Sequence, residues 1–116
     1  MIKSIFSILI TGIFLSACNM LHSTTTIQAN DAFILGNNKH GRFSASVTNI
    51  SASPLTVWQY PIDGGRHSPL TLLPAANVKL KVGKNTALRI ENSSDKSVDV
   101  KLDVKGDVGL SMGYKN

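Results

Sequence analysis

Few residues of this chain are of a kind that does chemistry, and their spacing limits what each can do. There is one cysteine, Cys18, and there are three histidines, His22, His40 and His67. A lone cysteine in an exported chain points to intermolecular pairing or a special thiol, not to a disulfide framework. The histidines are too scattered to act as paired ligands on one strand or helix. Only His40, Asp63 and His67, converging from two loops, would make an open zinc-type site, and solvated loop histidines are the simpler reading. Gly109-Leu110-Ser111-Met112-Gly113 spells a nucleophile elbow. That device needs a helix after the serine, with the acid and the histidine later in the chain, and the chain ends at Asn116. No catalytic residue, metal site or cofactor is expected.

Binding is better served than catalysis. Trp58 and Tyr60 stand at i and i+2, hence on one face of a strand beginning at Leu55. Exposed, they would form a platform for a sugar ring or a partner protein. Buried in the core is the favoured reading, because apolar area drives such rings inward. They lead into Pro61-Ile62-Asp63-Gly64-Gly65-Arg66-His67-Ser68-Pro69, the longest irregular stretch. Its Asp63, Arg66 and His67 are the candidate partner contacts. Arg66 suits paired hydrogen bonds to a carboxylate or phosphate, and His67 a pH-dependent contact. A plain Asp-Gly loop is the competing view. Lys79, Lys81 and Lys84 with Arg89 would make an anion-binding stripe if functional, and otherwise the polar side of an amphipathic sheet.

The N-terminus explains the cysteine. Lys3 gives a positive start, and an apolar stretch runs from Ile5 to Leu15, broken only by Ser7, Thr11 and Gly12. A spanning helix needs about 20 apolar residues, so this segment is read as a secretory leader. Leu15-Ser16-Ala17-Cys18 resembles the lipobox of bacterial lipoproteins. The resemblance implies a thioether-linked diacylglycerol on Cys18, cleavage after Ala17 and acylation of the new amino terminus. Several chains anchor durably where one binds only marginally. No acidic residue occurs in Asn19-Met20-Leu21-His22. By the sorting rules of such lipoproteins this implies the periplasmic face of the outer membrane.

The 116 residues less the 17 of the leader leave 99, enough for one domain. Losing Lys3 takes the formal charge from +5 to +4. Export argues against nucleic acid as the basic chain's partner. Anionic lipid, an envelope protein or a polysaccharide fits better, and a solvated surface with modest surplus charge accounts for the same number. Residues 18–30, with Ser23-Thr24-Thr25-Thr26, read as a lipidated terminus and flexible tether. A first edge strand around Thr25 to Gln28 is the variant reading. Residues 31–116 form the domain.

From Asp31 onward the apolar period is two, the spacing of half-buried strands. Phe43, Ala45 and Val47 alternate with Ser44, Ser46 and Thr48. Val78, Leu80 and Val82 alternate with lysines, and Leu88 and Ile90 with Arg89 and Glu91. Val98, Val100, Leu102 and Val104 alternate with Asp99, Lys101, Asp103 and Lys105, giving a dry and a wet face. Turn chemistry at Asn49 to Pro54, Asp63-Gly64-Gly65, Gly83-Lys84-Asn85, Asn92 to Lys96 and Gly106-Asp107 suggests tight hairpins. About seven short strands at this spacing predict an all-β fold, a small antiparallel sandwich or else a small barrel. A faint echo pairs Val47-Thr48-Asn49-Ile50-Ser51 with Ile90-Glu91-Asn92-Ser93-Ser94. Strand, Asn-x-Ser turn, strand resembles immunoglobulin-like accessory domains. The functional expectation is a non-enzymatic binding or structural module at the cell envelope. An inhibitor or immunity-type protein is the alternative, and a hydrolase or metal enzyme ranks below both.

Overall fold

A computed structural model of the chain describes residues 20–65 and 69–116. The expectations for Cys18, Arg66 and His67 therefore lie outside the described residues. Within them the chain is all β. Nine strands follow one another: β1 (Met20–Ile27), β2 (Asp31–Leu35), β3 (Phe43–Asn49), β4 (Leu55–Pro61), β5 (Leu70–Leu72), β6 (Asn77–Val82), β7 (Thr86–Asn92), β8 (Val98–Gly106) and β9 (Met112–Tyr114). They form two antiparallel sheets, ordered β1-β8-β3-β6 and β9-β2-β7-β4-β5. The sandwich is open, not a closed barrel.

Period-two patterning determines which side chains face inward. Ile27, Phe43, Val47, Val100, Leu102 and Val104 fill the inner face of the four-stranded sheet. Phe33, Leu35, Leu55, Val57, Leu88 and Ile90 meet them from the other sheet. Val78 and Leu80 point the same way but are only half-buried, because β6 is an edge strand.

The strand order is that of a jelly roll, with β9 added beside β2. Every connection from β1 to β8 crosses between the sheets, except the one joining β4 to β5. The likeness to immunoglobulin-like domains thus extends to the two layers and not to the strand order. Most expected hairpins are arches from sheet to sheet. Asn49 to Pro54, Gly83 to Asn85 and Asn92 to Lys96 each carry the chain over the core. Hairpins and arches draw on the same Asn, Ser and Gly chemistry, so local sequence does not separate them.

An arch brings backbone carbonyls together at the rim of the core, where they need donors. Two asparagines supply them by the same device. Asn49, ending β3, donates from Nδ2 to the carbonyls of Ser53 (2.8 Å) and Leu72 (3.0 Å). Its Oδ1 accepts from the Ser51 amide (3.0 Å) and hydroxyl (2.7 Å). Asn92, ending β7, donates to the carbonyls of Lys96 (2.7 Å), Gln28 (3.0 Å) and Ile27 (3.1 Å). Its Oδ1 accepts from the Ser94 amide (3.0 Å) and hydroxyl (2.6 Å). Both asparagines are buried, at 0% and 1% exposure. Each fastens its own arch and reaches an edge strand of the opposite sheet.

Residues 20–27 correct the tether reading. They form a full strand paired with β8 from Met20↔Lys105 to Ile27↔Val98. Thr25 and Ile27 are buried while Thr24 and Thr26 are exposed. The period is present, but Ser23 and Thr25 occupy inner positions where apolar residues would have announced it.

Asn49→Ala and Asn92→Ala should each lower stability by about 2–4 kcal/mol, since every buried carbonyl left without a donor costs about 1–3 kcal/mol. Asn→Asp at either site should cost at least as much, because a carboxylate donates nothing to those carbonyls. Asn77→Ala, exposed on β6, should change stability by less than about 0.5 kcal/mol. Urea unfolding midpoints of the variants check this ranking.

Candidate functional site

The two outer faces of the sandwich carry its polar chemistry. On the five-stranded sheet, Leu55 and Val57 of β4 point into the core, and Thr56, Trp58 and Tyr60 point out. The favoured burial of the Trp58 ring in the core is therefore incorrect. Trp58 and Tyr60 do share a face, as their spacing requires, and both are half-buried on it. Register sets Trp58 beside Arg89 and Thr56 beside Glu91. The Trp58 indole donates to Glu91 Oε1 at 2.9 Å. Arg89 grips Glu91 Oε2 through Nε (2.8 Å) and Nη2 (2.7 Å). Glu91 thus holds the indole and the guanidinium together, and the Arg89 side chain is only 15% exposed. Asp63 lies beyond the end of β4 in an exposed turn and does not join this group.

The four-stranded sheet carries a different face. Register places Met20, Lys105, Ser44 and Lys81 in one row across β1, β8, β3 and β6. His22, Asp103, Ser46 and Lys79 form the next row. The serines of β3 are short, so the lysines of β6 and β8 wall a trough of about 890 Å³. The expected stripe of Lys79, Lys81, Lys84 and Arg89 is corrected here. Lys79 and Lys81 are on this face, Lys84 is in the following turn, and Arg89 lies on the other sheet. Lys101 and Lys105 take the place assigned to Arg89. Their alternation in β8 was legible, but not its pairing with β3.

His22 bridges to Asp103 on this face. The hydrogen bond from His22 holds the Asp103 carboxyl below the usual carboxylate range, aided by the charges of His22 and Lys101. At the trough's end a second recess, about 570 Å³, lies between Arg42, Lys81 and Lys105. Gly106 allows this approach. Its φ is +105°, and a Cβ there would stand 2.8 Å from the Arg42 carbonyl. The Asp107 amide donates to that carbonyl at 3.1 Å.

His40 and Asp107 brace the loops at this end. The His40 ring nitrogens face the carbonyls of Gly41 (2.6 Å) and Thr86 (2.9 Å). Its backbone amide donates to Asn85 Oδ1 at 2.8 Å. Asp107 accepts from the amides of Gly41 (2.6 Å) and Gly109 (2.8 Å). Those two bonds lower its pKa, with a smaller contribution from His40. Among the described residues, no group of three His, Cys, Asp or Glu could hold a metal ion. Ser111 of the elbow-like sequence is exposed just before β9; its amide donates to Asn38 Oδ1 at 3.0 Å and its carbonyl accepts from the Gly36 amide at 2.8 Å.

No family model matches the chain, and no curated protein matches it significantly. Among solved structures it is similar to the crystal structure of the Yersinia pseudotuberculosis-derived mitogen. The TM-score is 0.51 at 19% identity, over 76% of this chain and 86% of the mitogen. At that identity the likeness concerns the fold alone.

Glu91→Ala should destabilise the domain by about 1–3 kcal/mol, because a largely covered guanidinium loses its carboxylate and the indole its acceptor. A shift in Trp58 fluorescence should accompany the loss. Asp107 has a lowered folded-state pKa, so its contribution is present above the ordinary carboxylate range and lost as pH falls through the folded value. Between roughly pH 5 and roughly pH 3, wild-type melting temperature should fall more steeply than that of Asp107→Asn.

Proposed function

We propose that the chain is an exported lipoprotein, acylated at Cys18, whose jelly-roll domain serves as a non-enzymatic binding or structural module at the envelope. Its place is the periplasmic face of the outer membrane. The observation that carries this reading is Leu15-Ser16-Ala17-Cys18 at the end of an apolar leader. The first described strand begins at Met20, so cleavage before Cys18 would leave every described element whole. The titrating groups also fit a binding module better than a reaction centre. The two carboxylates with displaced pKa values, Asp103 and Asp107, are each held by a fold-supporting contact, with His22 and with two loop amides. Partners are expected among envelope proteins, polysaccharides or the membrane itself.

Growth with a labelled fatty acid tests the reading directly. Wild-type protein should carry label and fractionate with membranes, and its intact mass should match a chain cut after Ala17 plus acyl groups. Cys18→Ala should abolish the label. A soluble, unlabelled wild-type protein, or label that persists in Cys18→Ala, would overturn it.

A further inference from the structure

Charge is unevenly distributed along the strand axis of this sandwich. β1 begins, β3 begins, β6 ends and β8 ends at one end of the four-stranded sheet. That end carries Arg42, Lys81, Lys84 and Lys105, all exposed. Arg42, Lys81 and Lys105 line one recess, which shares Ser44, Lys81 and Lys105 with the longer trough. Lys39 belongs to the loop before Arg42 and adds to the same charge. Of the acids at this end, Asp107 accepts two backbone hydrogen bonds and Asp63 lies in the turn after β4. The opposite end mixes signs, with Asp31, Asp95 and Asp99 beside Lys96 and Lys115.

The basic end is also where the chain comes from Cys18. Met20 opens β1 beside Lys105 and is 39% exposed. Two residues of chain reach at most about 7 Å. A lipid on Cys18 would therefore hold Met20, and Lys105 beside it, close to the bilayer. A domain standing on this end would bring Arg42, Lys81 and Lys84 to the same surface, whose field extends about 8 Å at physiological ionic strength.

We propose that this basic end is a membrane-docking surface. Arg42, Lys81, Lys84 and Lys105 bind the phosphates of anionic lipid headgroups in the bilayer that holds the anchor. The proposal rests on acylation at Cys18 and adds an orientation to it: the sandwich stands with its strands rising from the membrane. Arg42 and Lys105 flank one recess, so a single headgroup phosphate can be shared between them. The trough continues from this recess to Lys79 and Lys101, with Asp103 and its His22 partner among them.

The test uses the purified mature protein in vesicles of phosphatidylcholine alone or with added phosphatidylglycerol. Amine-reactive labelling is read by mass spectrometry at each lysine. Lys81, Lys84 and Lys105 should be protected in the anionic vesicles, exposed in the neutral ones and re-exposed by high salt. Lys96 and Lys115 should label equally in both. Each cation near an anionic surface strengthens attachment roughly fivefold, so Lys81→Gln with Lys105→Gln should weaken protection of Lys84 about 25-fold. Equal labelling in the two vesicle types, or equal protection at Lys96 and Lys115, would overturn the proposal. So would protection by soluble polyphosphate without protection by anionic vesicles, which would assign the surface to a free polyanion. Flotation separates this proposal from the anchor on which it rests. Protein that does not float with neutral vesicles contradicts acylation. In that case capture by anionic vesicles that depends on Lys81 and Lys105 still supports the basic surface, and no capture overturns it.

Discussion

Two buried asparagine amides hold the arches on which this sandwich depends. A jelly roll sends its chain from one sheet to the other at nearly every turn. Each crossing leaves carbonyls at the rim of the core that no sheet ladder can satisfy. Asn49 and Asn92 meet that constraint with one side chain per arch, each donating to carbonyls and accepting from a serine two residues on. Both also reach an edge strand of the opposite sheet, Asn49 to β5 and Asn92 to the end of β1. The hydrophobic effect drives the sheets together without fixing their relative position. The amides supply direction. Both asparagines lie in Asn-x-Ser triplets, which also spell a glycan acceptor, but their side-chain nitrogens are buried and already donating.

With the interior so arranged, the chemistry lies on the outer faces, and these differ. The five-stranded sheet turns Trp58, Arg89 and Glu91 into a cross-strand group whose polar atoms bind one another. The four-stranded sheet keeps its lysines apart, across short serines, and leaves them facing water. A covered guanidinium held by its own carboxylate has less to offer an outside anion than exposed ammonium groups around a recess. That contrast directs attention to the lysine-bearing face and the end where β1 starts.

Period-two alternation made the strands from Phe43 onward readable, because valine, leucine and isoleucine marked the inner positions. It failed in β1, where Thr25 holds an inner position and composition suggested a tether. The echo between Asn49 and Asn92 was visible as a repeated Asn-x-Ser. Its meaning was not, since whether such a turn closes a hairpin or spans two sheets depends on pairings far away in sequence. The same reason separates Arg89 from Lys79 and Lys81. Strands β6 and β7 are neighbours in the chain and lie in different sheets. Trp58 faces outward because Leu55 and Val57 already fill the inner positions of β4. Trp58 and Tyr60 share the opposite phase, and with apolar residues on both phases the alternation does not say which is inward.

The proposed lipidated jelly roll stands on its basic end, and its orientation at a bilayer is open to measurement. β8 has nine residues, so the two ends of the sandwich differ in height by about 30 Å. With Cys18 acylated, a cysteine introduced by Gly83→Cys or by Ser93→Cys is the one thiol available to a spin label. Nickel-chelating lipid in an anionic bilayer then reports proximity through faster relaxation. The expected result is strong relaxation at position 83 and almost none at position 93. Equal effects at the two positions, or a stronger effect at 93, would rule out that orientation.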